Sequence, residues 1–516
     1  MSPTAGGEPG RLRVLVILGH PRGSSSLCGA LANALAAGAR QSGCRVRLVD
    51  LSRLHFARDV TMASPADQPL GADLGDLRAA IEDSDHLVFV YPTWWGTYPA
   101  LLKSCLDRLL TPGWAFSSTE SGTGFAGHLG PRTAELVTTM DTPGPVYSLV
   151  YRAPGRQAMT RATLGFCGID VTAHTRFGPV DHSDPARRSD WLGRARMLGM
   201  RLREGPRTPV QRARRRIAAW IGALRLQFYP MTFLAYWLGA VLATGSGHGI
   251  DAQRFWIGYG LMFALEAATV FTNELGDRET DKANARWGPF NGGSRVLHNG
   301  ALEAADLVRG TRVAMVVAMS CAIVLLRSAP QAVVLGPFMV VLAVLALGYT
   351  VAPLRLSYRS LGELDVAVTH GVLAILAGHL IQGGALGDPL PWLIALPLAI
   401  SILPSITLSG LPDATADRLV GKRTLAVRFG LRSALRLAGV AAPIAVLAMV
   451  AIEISLPRSP YGAVVALLAA LHGGLICAAC LRLAARPVRG GRIDGLMVLT
   501  LSFIMWFCVA PLARLA

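Results

Sequence analysis

The sequence predicts two folds in one chain. Residues 1–205 read as an α/β doubly wound parallel sheet, and residues 226–516 as an all-α, nine-span transmembrane helical domain, with a basic linker at 206–225 between them. Three observations predict this. Strand-length apolar runs alternate with helix-like stretches up to about residue 203. Apolar segments long enough to span a bilayer follow from Leu226. The composition, 52% hydrophobic with a mean hydropathy of +0.41 over 516 residues, points to a membrane protein in at least one part.

The net charge of +17 suits an anionic membrane surface or an anionic substrate. A nucleic-acid partner is not expected, because the arginine run of the linker leads at once into an apolar segment. The eight cysteines show no framework spacing. Cys477 and Cys480 form a CxxC inside "LLAALHGGLICAACL", where small residues packing between membrane helices are the better reading. No signal peptide is expected, since "MSPTAGGEPGRLRVLVILGH" lacks a sustained apolar core.

Five runs carry the predicted sheet: "RVLVILGH", "RVRLVDL", "HLVFVYP", "AELVTTM" and "IDVTAHTRF". Ligands of such sheets bind at the carboxyl ends of the strands. After the first strand, Ser24, Ser25 and Ser26 lead into a helix start, where hydroxyls and backbone N–H groups can cradle a phosphate or simply cap the helix. After the third, "YPTWWGTYPALLKSCLDRLLTPGWAF" places two adjacent tryptophans in a loop bounded by Pro and Gly, which suits a flat aromatic ligand. After the fourth comes "TTMDTPG", a loop of small residues at the same edge.

These loops together resemble the flavodoxin-like NAD(P)H:quinone oxidoreductases over most of residues 13–203, most specifically from Pro92 to Phe116. The resemblance implies a flavin, FMN or FAD with the compact loops leaning to FMN, and NAD(P)H as reductant. Ser24, Ser26 and Leu27 would hold the flavin's phosphate end. Pro92, Thr93, Trp94, Trp95 and Gly96 would line the isoalloxazine, with Thr139 and the stretch from Asp141 to Gly144 opposite. The family's catalytic side chains past the fourth strand are not clearly matched, so catalysis would rest mainly on the flavin. A dimeric reductase domain is a further expectation.

In the linker, Arg212, Arg214, Arg215 and Arg216 precede Ile217, Trp220, Ile221 and Leu224, the pattern of an interfacial helix on an anionic leaflet. Nine apolar segments follow, near 226–246, 255–273, 311–326, 331–350, 364–382, 390–410, 437–455, 461–481 and 495–512. One set of connecting loops is arginine- and lysine-rich, and the other carries single arginines or none. The positive-inside bias places the amino-terminal domain and the charged loops in the cytoplasm and, after nine spans, the carboxyl terminus outside.

At the cytoplasmic end of the second span stands "FTNELGDRETDKANA". Asn273, Asp277 and Asp281 recur every four residues and share a helix face, with Glu274 close to the same stripe. Four spans later "GLPDATADRLVGKRTLAVRFG" repeats the device with Asp413 and Asp417. Carboxylates gathered at a membrane mouth call for a hard cation, and oxygen ligands at this spacing suit Mg²⁺ bridging to substrate phosphates. Lys422, Arg423, Arg286 and Arg295 would meet the phosphate oxygens directly. A metal–diphosphate site below an apolar cavity fits a polyprenyl diphosphate.

Residues 220–516 resemble the UbiA superfamily of intramembrane prenyltransferases: "NELGDRETD" is similar to its first Asp-rich motif, "DATADRLVGKRTLAVRFG" to its second, and "GYTVAPLRLSYRSLGELD" to its stretch after the fourth span. The loop "PFNGGSRVLHNGAL" is similar to the naphthoate-prenylating branch. The resemblance implies that Asn273, Asp277, Asp281, Asp413 and Asp417 bind Mg²⁺ and diphosphate, with Lys422 and Arg423 on the phosphates. Glu274 departs from the family's usual Asp, and altered metal geometry is expected there. Glu266, inside the second span, either orients an acceptor hydroxyl or pairs with His370 or His379.

The expected protein is thus a multi-pass cell-membrane enzyme with two activities. A cytoplasmic flavin domain would reduce a quinone with NAD(P)H. An Mg²⁺-dependent prenyltransferase would alkylate an aromatic, hydroquinone- or naphthoate-like acceptor. The rival readings are prenyl transfer to a lipid alcohol, terpene cyclisation, and a flavodoxin-like domain that only senses redox state.

Overall fold

The computed structural model describes residues 11–118, 125–244, 249–283, 293–298, 300–457, 459–485 and 493–515. The chain divides into two compact units, residues 1–215 and 216–516.

The strands of the first unit, in chain order, are β1 (Arg13–Leu18), β2 (Arg45–Asp50), β3 (His86–Pro92), β4 (Phe116–Ser118), β5 (Phe125–Gly127), β6 (Thr133–Thr139) and β7 (Asp170–Phe177). Five of them form one parallel sheet in the order β2-β1-β3-β6-β7, and these are the five apolar runs expected from the sequence. β4 and β5 pair as a short antiparallel ribbon. The helices are α1 (Leu27–Gln41), α2 (Ala72–Glu82), α3 (Ala100–Leu109), α4 (Pro154–Gln157) and α5 (Pro185–Arg201). Alternation along β1 sends Leu15 and Ile17 to a core with Leu77, Ile81 and Leu102. Val14, Val16 and Leu18 face a second core with Leu31, Leu35 and Trp191. Each such side chain stabilises the fold by about 1.5–3 kcal/mol on full burial. The chain leaves β1 for β2 on one side and then returns to β3 on the other. The crevice at this switch point opens at the carboxyl ends of the strands.

The remaining helices are α6 (Pro209–Leu224), α7 (Tyr229–Ala243), α8 (Ala252–Gly276), α9 (Arg278–Ala283), α10 (Ala304–Ser328), α11 (Ala332–Gly348), α12 (Gly362–Ala367), α13 (Ala374–Ile381), α14 (Pro389–Ser409), α15 (Ala414–Leu419), α16 (Leu425–Phe429), α17 (Leu431–Ser455), α18 (Ala463–Ala485) and α19 (Asp494–Leu515). A π-helical turn, Val368–Leu373, joins α12 to α13. Among the described residues seven runs are long and apolar enough to cross a membrane: α8, α10, α12 through α13, α14, α17, α18 and α19. Nine were expected, and the two shortfalls have local causes. α6 and α7 are bent by 55° at a break that includes Arg225, whose φ of 53° is left-handed. α11 has only 17 residues. The bend leaves Ile217 and Ile221 exposed on α6 while Trp220 packs edge-on against Phe271, 5.4 Å between ring centres.

Small residues let the apolar helices close on one another, as expected where lipid offers no hydrophobic drive for association. Gly239 of α7 and Gly378 of α13 each face the other helix's backbone with no room for a Cβ.

Candidate functional site

In the first unit the loops after β1, β2 and β3 border a cleft of about 410 Å³, lined by Pro21, Ser52, Arg58, Trp94, Trp95 and Tyr98. Its tryptophan wall is a tight turn. Trp94 N–H and O bond to Thr97 O and N–H at 2.9 and 3.0 Å, and the two central residues, Trp95 (φ 51°) and Gly96 (φ 74°), are both left-handed. Gly takes that conformation freely, whereas for an indole-bearing residue it is strained. Strain of this kind concentrates at functional positions. Trp95 is fully exposed, and Trp94 meets His20 edge-on at 5.7 Å. Gly96 O accepts the Gly155 N–H at 2.8 Å, which braces the turn from the far side.

The other residues expected at a flavin are mostly engaged with the protein itself. Ser26 Oγ accepts the Gly29 N–H at 3.0 Å and caps α1. Ser24 N–H donates to Asp50 Oδ2 at 3.1 Å, so a carboxylate already sits at the first loop. Leu27 opens α1. Thr93 N–H binds Thr139 O at 2.7 Å, and the Thr139 hydroxyl is buried against Cys28 Sγ at 3.3 Å. Asp141 holds the Val180 and Asp181 N–H groups, and Gly144 O accepts from Arg176 at 3.4 Å. Pro92 ends β3. The exposed indole wall fits a flat ring system. The Ser24 N–H and the Ser26 hydroxyl, as arranged, are already satisfied.

In the second unit both Asp-rich motifs reach one cavity of about 270 Å³. The helical register of the first motif survives the end of α8: Asp277 N–H bonds to Asn273 O and Asp281 N–H to Asp277 O, both at 2.8 Å. Asp417 N–H bonds to Asp413 O at 2.8 Å in the same way. Asn273, Asp277, Asp281, Asp413, Asp417 and Lys422 all line the cavity. Gly421, at φ 76°, turns the chain so that Lys422 N–H returns to Asp417 O (2.9 Å) and its ammonium reaches inward. Lys422 Nζ donates to Asp277 Oδ2 at 2.8 Å and stands 3.9 Å from Asp417 Oδ1.

Burial, then the neighbouring Glu274, Asp277 and Asp413, push the Asp281 carboxyl up to about 7. Burial, with Asp413 and Asp277 adding to it against the pull of Lys422, does the same to Asp417. Burial opposes the Lys422 charge, yet Asp277, Tyr349 and Asp417 raise its affinity for the proton. Among the described residues no three His, Cys, Asp or Glu groups are already drawn around one ion position. The donors nonetheless fit a hard cation, because they are carboxylate oxygens in like-charge proximity. One of them, Asp417 Oδ1, is buried without a hydrogen bond.

Three of the other expected residues, Glu274, Arg295 and Arg423, are not among those lining the cavity. Glu274 turns away, accepting the Ser294 N–H (3.0 Å) and Oγ–H (2.7 Å). Arg295 lies in the field of Asp281 and Glu274. Arg423 is exposed, and only its carbonyl is held, by Ser360 Oγ at 2.7 Å. Arg286 and part of "PFNGGSRVLHNGAL" lie outside the described residues. Sequence reasoning missed Arg225, which lines the cavity beside the α6–α7 bend. It also missed Tyr358, which donates to Gly276 O at 3.2 Å and has Lys422 Nζ 5.6 Å from its ring centre. Of the partners considered for Glu266, His370 is the neighbour, at 3.9 Å, while His379 lies 3.5 Å from Asp388.

A bundle of apolar helices around a carboxylate-lined cavity, carried with a separate doubly wound α/β domain, defines a multi-pass membrane protein with an attached nucleotide-binding-like fold. Residues 228–511 match the UbiA prenyltransferase family and residues 12–196 the flavodoxin-like fold. The chain belongs to the UbiA prenyltransferase family, fused at its amino-terminal side to a flavodoxin-like domain of the NAD(P)H:quinone oxidoreductase kind. The 1,4-dihydroxy-2-naphthoate octaprenyltransferase of Escherichia coli (strain K12) is 28% identical over 228 residues, covering 42% of this chain and 70% of that protein. The ribosyldihydronicotinamide dehydrogenase (quinone) of Pongo abelii is 26% identical over 208 residues, covering 34% of this chain and 86% of its own length. Among solved structures, the apo UbiA homolog from Aeropyrum pernix K1 shares 18% identity at a TM-score of 0.42, covering 55% of this chain and 97% of that one.

Proposed function

We propose that the membrane unit transfers a prenyl group from a polyprenyl diphosphate to an aromatic hydroquinone- or naphthoate-like acceptor, and that the flavodoxin-like unit keeps the acceptor reduced with NAD(P)H. The observation that carries this reading is the convergence of two separate Asp motifs and Lys422 on one cavity whose inner wall is largely apolar (Met231, Met262, Leu265, Leu342, Ile402). An anionic head and a lipid-like tail require that combination.

Asn273, Asp277, Asp281, Asp413 and Asp417 would hold Mg²⁺, which when bound neutralises the diphosphate and stabilises it as a leaving group. Lys422 would exchange Asp277 for a phosphate oxygen, with Arg225 and Arg295 adding positive charge at the same end. The allylic C–O bond then breaks with the electron pair leaving on diphosphate, and an electron-rich ring carbon bonds to the allylic carbon and loses its hydrogen as a proton. In the other unit, Trp94, Trp95 and Gly96 would hold the isoalloxazine of FMN or FAD. The phosphate end is assigned to Ser24, Ser26 and Leu27 at the start of α1, which requires Ser24 N–H to leave Asp50. A flavin supplies hydride chemistry from NAD(P)H.

The reading includes nine spans, with α6–α7 as a broken first span and α11 as a short fourth around which the bilayer thins, because all nine apolar segments of the sequence coincide with helices. The loop charges then favour a cytoplasmic α/β domain and an external carboxyl terminus, with the domains at 1–205 and 226–516. The test is incubation of membranes holding the protein with a panel of prenyl diphosphates and reduced quinones, followed by mass spectrometry. Prenylated hydroquinone is the expected product. Exclusive appearance of prenylated lipid alcohols or cyclic terpenes would refute the acceptor class.

A further inference from the structure

The cavity carries polar groups that the metal and diphosphate do not use. α12 enters the bundle with Asp365 on the cavity wall. It is 7% exposed, and its Oδ1 has no hydrogen-bond partner. A buried carboxylate oxygen left unmatched inside an apolar bundle is costly unless a ligand satisfies it. The level of Asp365 is set by its surroundings. Glu363, two residues before it, accepts the Leu425 N–H at 2.9 Å, close behind Lys422. Tyr349, also on the wall, lies within electrostatic reach of Lys422, Asp277 and Asp365. Asp365 therefore sits just inside the polar mouth, where the allylic carbon of a bound diphosphate ester would lie.

One turn deeper the helix changes. Thr369 and His370 lie in the π-helical turn Val368–Leu373, a distortion frequent at functional positions. His370 Nδ1 is 3.2 Å from Val366 O and 3.0 Å from Thr369 Oγ1, so the imidazole is oriented from behind. Its Nε2 faces Glu266 Oε1 at 3.9 Å, too far for a hydrogen bond and open enough for a hydroxyl to bridge the two. Along α12 and the following turn, His370 is about 7 Å beyond Asp365 at a helical rise of about 1.5 Å per residue. A single aromatic ring with hydroxyls at opposite ends can reach both stations.

We propose that Asp365 is a catalytic residue that accepts the proton of the acceptor's reacting-side hydroxyl, and that the His370–Glu266 pair binds the para hydroxyl, so that the site selects 1,4-dihydroxy arenes. This rests on the prenyl-transfer reading above. The hydroxyl O–H bond breaks and its proton goes to Asp365. The adjacent ring carbon supplies the electron pair of the new bond to the allylic carbon, while the allylic C–O pair leaves on diphosphate. The resulting dienone loses the hydrogen of the alkylated carbon as a proton and regains a proton on oxygen from Asp365. One proton is released per turnover.

The test uses the full chain with Mg²⁺, geranylgeranyl diphosphate, and 1,4-dihydroxynaphthalene, 1-naphthol and electron-poor 1-naphthols as acceptors under reducing conditions. Asp365→Asn should lower kcat for 1,4-dihydroxynaphthalene about 10²-fold, the lower end for a general base. It should keep the wild-type KM for the diphosphate and lose progressively less as the naphthol becomes more acidic. Asp365→Glu should recover part of the rate. His370→Phe should lower the rate ratio of 1,4-dihydroxynaphthalene to 1-naphthol. Melting with and without Mg²⁺ and diphosphate checks that each variant is folded. A wild-type kcat in Asp365→Asn, or a loss equal across all acceptor acidities, overturns the assignment alone. A wild-type enzyme that prenylates none of these arenes overturns the prenyl-acceptor reading and this inference with it.

Discussion

The two candidate sites differ in what carries their side chains. In the α/β unit the expected flavin residues belong to the loops after β1, β2 and β3 that border the cleft and to the loop after β6, and most of their polar atoms are turned inward. Ser26 caps α1, Asp141 holds two N–H groups of the loop after β7, and Ser24 is bound to Asp50. In the membrane unit the polar side chains grow from helix ends whose hydrogen-bond register runs through Asn273, Asp277 and Asp281 without interruption. A loop satisfies its own polar groups because water and neighbouring strands compete for them. A helix has already satisfied its backbone, so its side chains remain available for a ligand. The loop-built site should therefore lose affinity gradually on mutation, and the helix-built site should fail abruptly.

The largest contrast is expected from the metal-binding carboxylates. Asp277→Asn or Asp413→Asn should reduce prenyl transfer by about 10³-fold or more, several kcal/mol of charge stabilisation at 1.36 kcal/mol per decade. NAD(P)H oxidation by the same protein should be unchanged, and EDTA should reproduce the pattern. Measuring both activities on one preparation decides it, and full transfer in either variant would remove the metal assignment.

Next in size is the dependence of one activity on the other. Starting from an oxidised quinone, the intact protein should prenylate only when NAD(P)H is present. Starting from a chemically reduced acceptor it should need none. Equal yields from oxidised quinone with and without NAD(P)H would break the coupling.

Lys422→Met should raise the KM for the diphosphate about 10- to 100-fold, the range for a lost charge-assisted hydrogen bond of about 1.5–3 kcal/mol. Trp94→Ala with Trp95→Ala should weaken flavin retention about tenfold, from lost stacking area. Absorbance at the flavin bands after gel filtration reads this, and a fully flavinated double variant would show that the turn does not touch the cofactor.

The smallest effect is one of pH. Burial first, then Arg201 and Arg207, holds His86 down at about 4, against about 6.5 in an unfolded chain. The folded α/β unit thus keeps this ring neutral. Its contribution is complete above pH 6.5 and is lost as the pH falls from 6.5 toward 4. The melting temperature of flavin release should fall across that window and be flatter in His86→Gln.

How much of this was legible in the sequence follows the same division. Five parallel strands were readable because short continuous apolar runs between helix-like stretches are a local signal, and so was the first Asp motif, because i, i+4 spacing fixes a helix face. The cavity placement of Lys422 depends on Gly421 adopting a left-handed conformation, which the string "LVGKR" permits but does not announce. Glu274 illustrates the opposite failure: it lies on the right stripe, yet Ser294, twenty residues away, claims both its oxygens. The Ser24 contact to Asp50 links two loops far apart in sequence and has no local signature. The nine apolar segments were visible, but length alone did not reveal that α6 and α7 bend by 55° at their junction.

The lysine held between Asp277 and Asp417 has a consequence for the order in which ligands arrive. With its ammonium already neutralising Asp277, the site attracts a lone cation less than its four carboxylates would without the lysine, and a lone diphosphate meets a lysine that is spoken for. Each ligand frees the group the other needs: the cation releases Lys422 from Asp277, and the diphosphate draws Lys422 away from the carboxylate the cation requires. Thermodynamic reciprocity then makes the two affinities rise together by the same factor. Titrating Mg²⁺ at fixed inorganic diphosphate, and diphosphate at fixed Mg²⁺, should give equal coupling free energies, and Lys422→Met should shrink both.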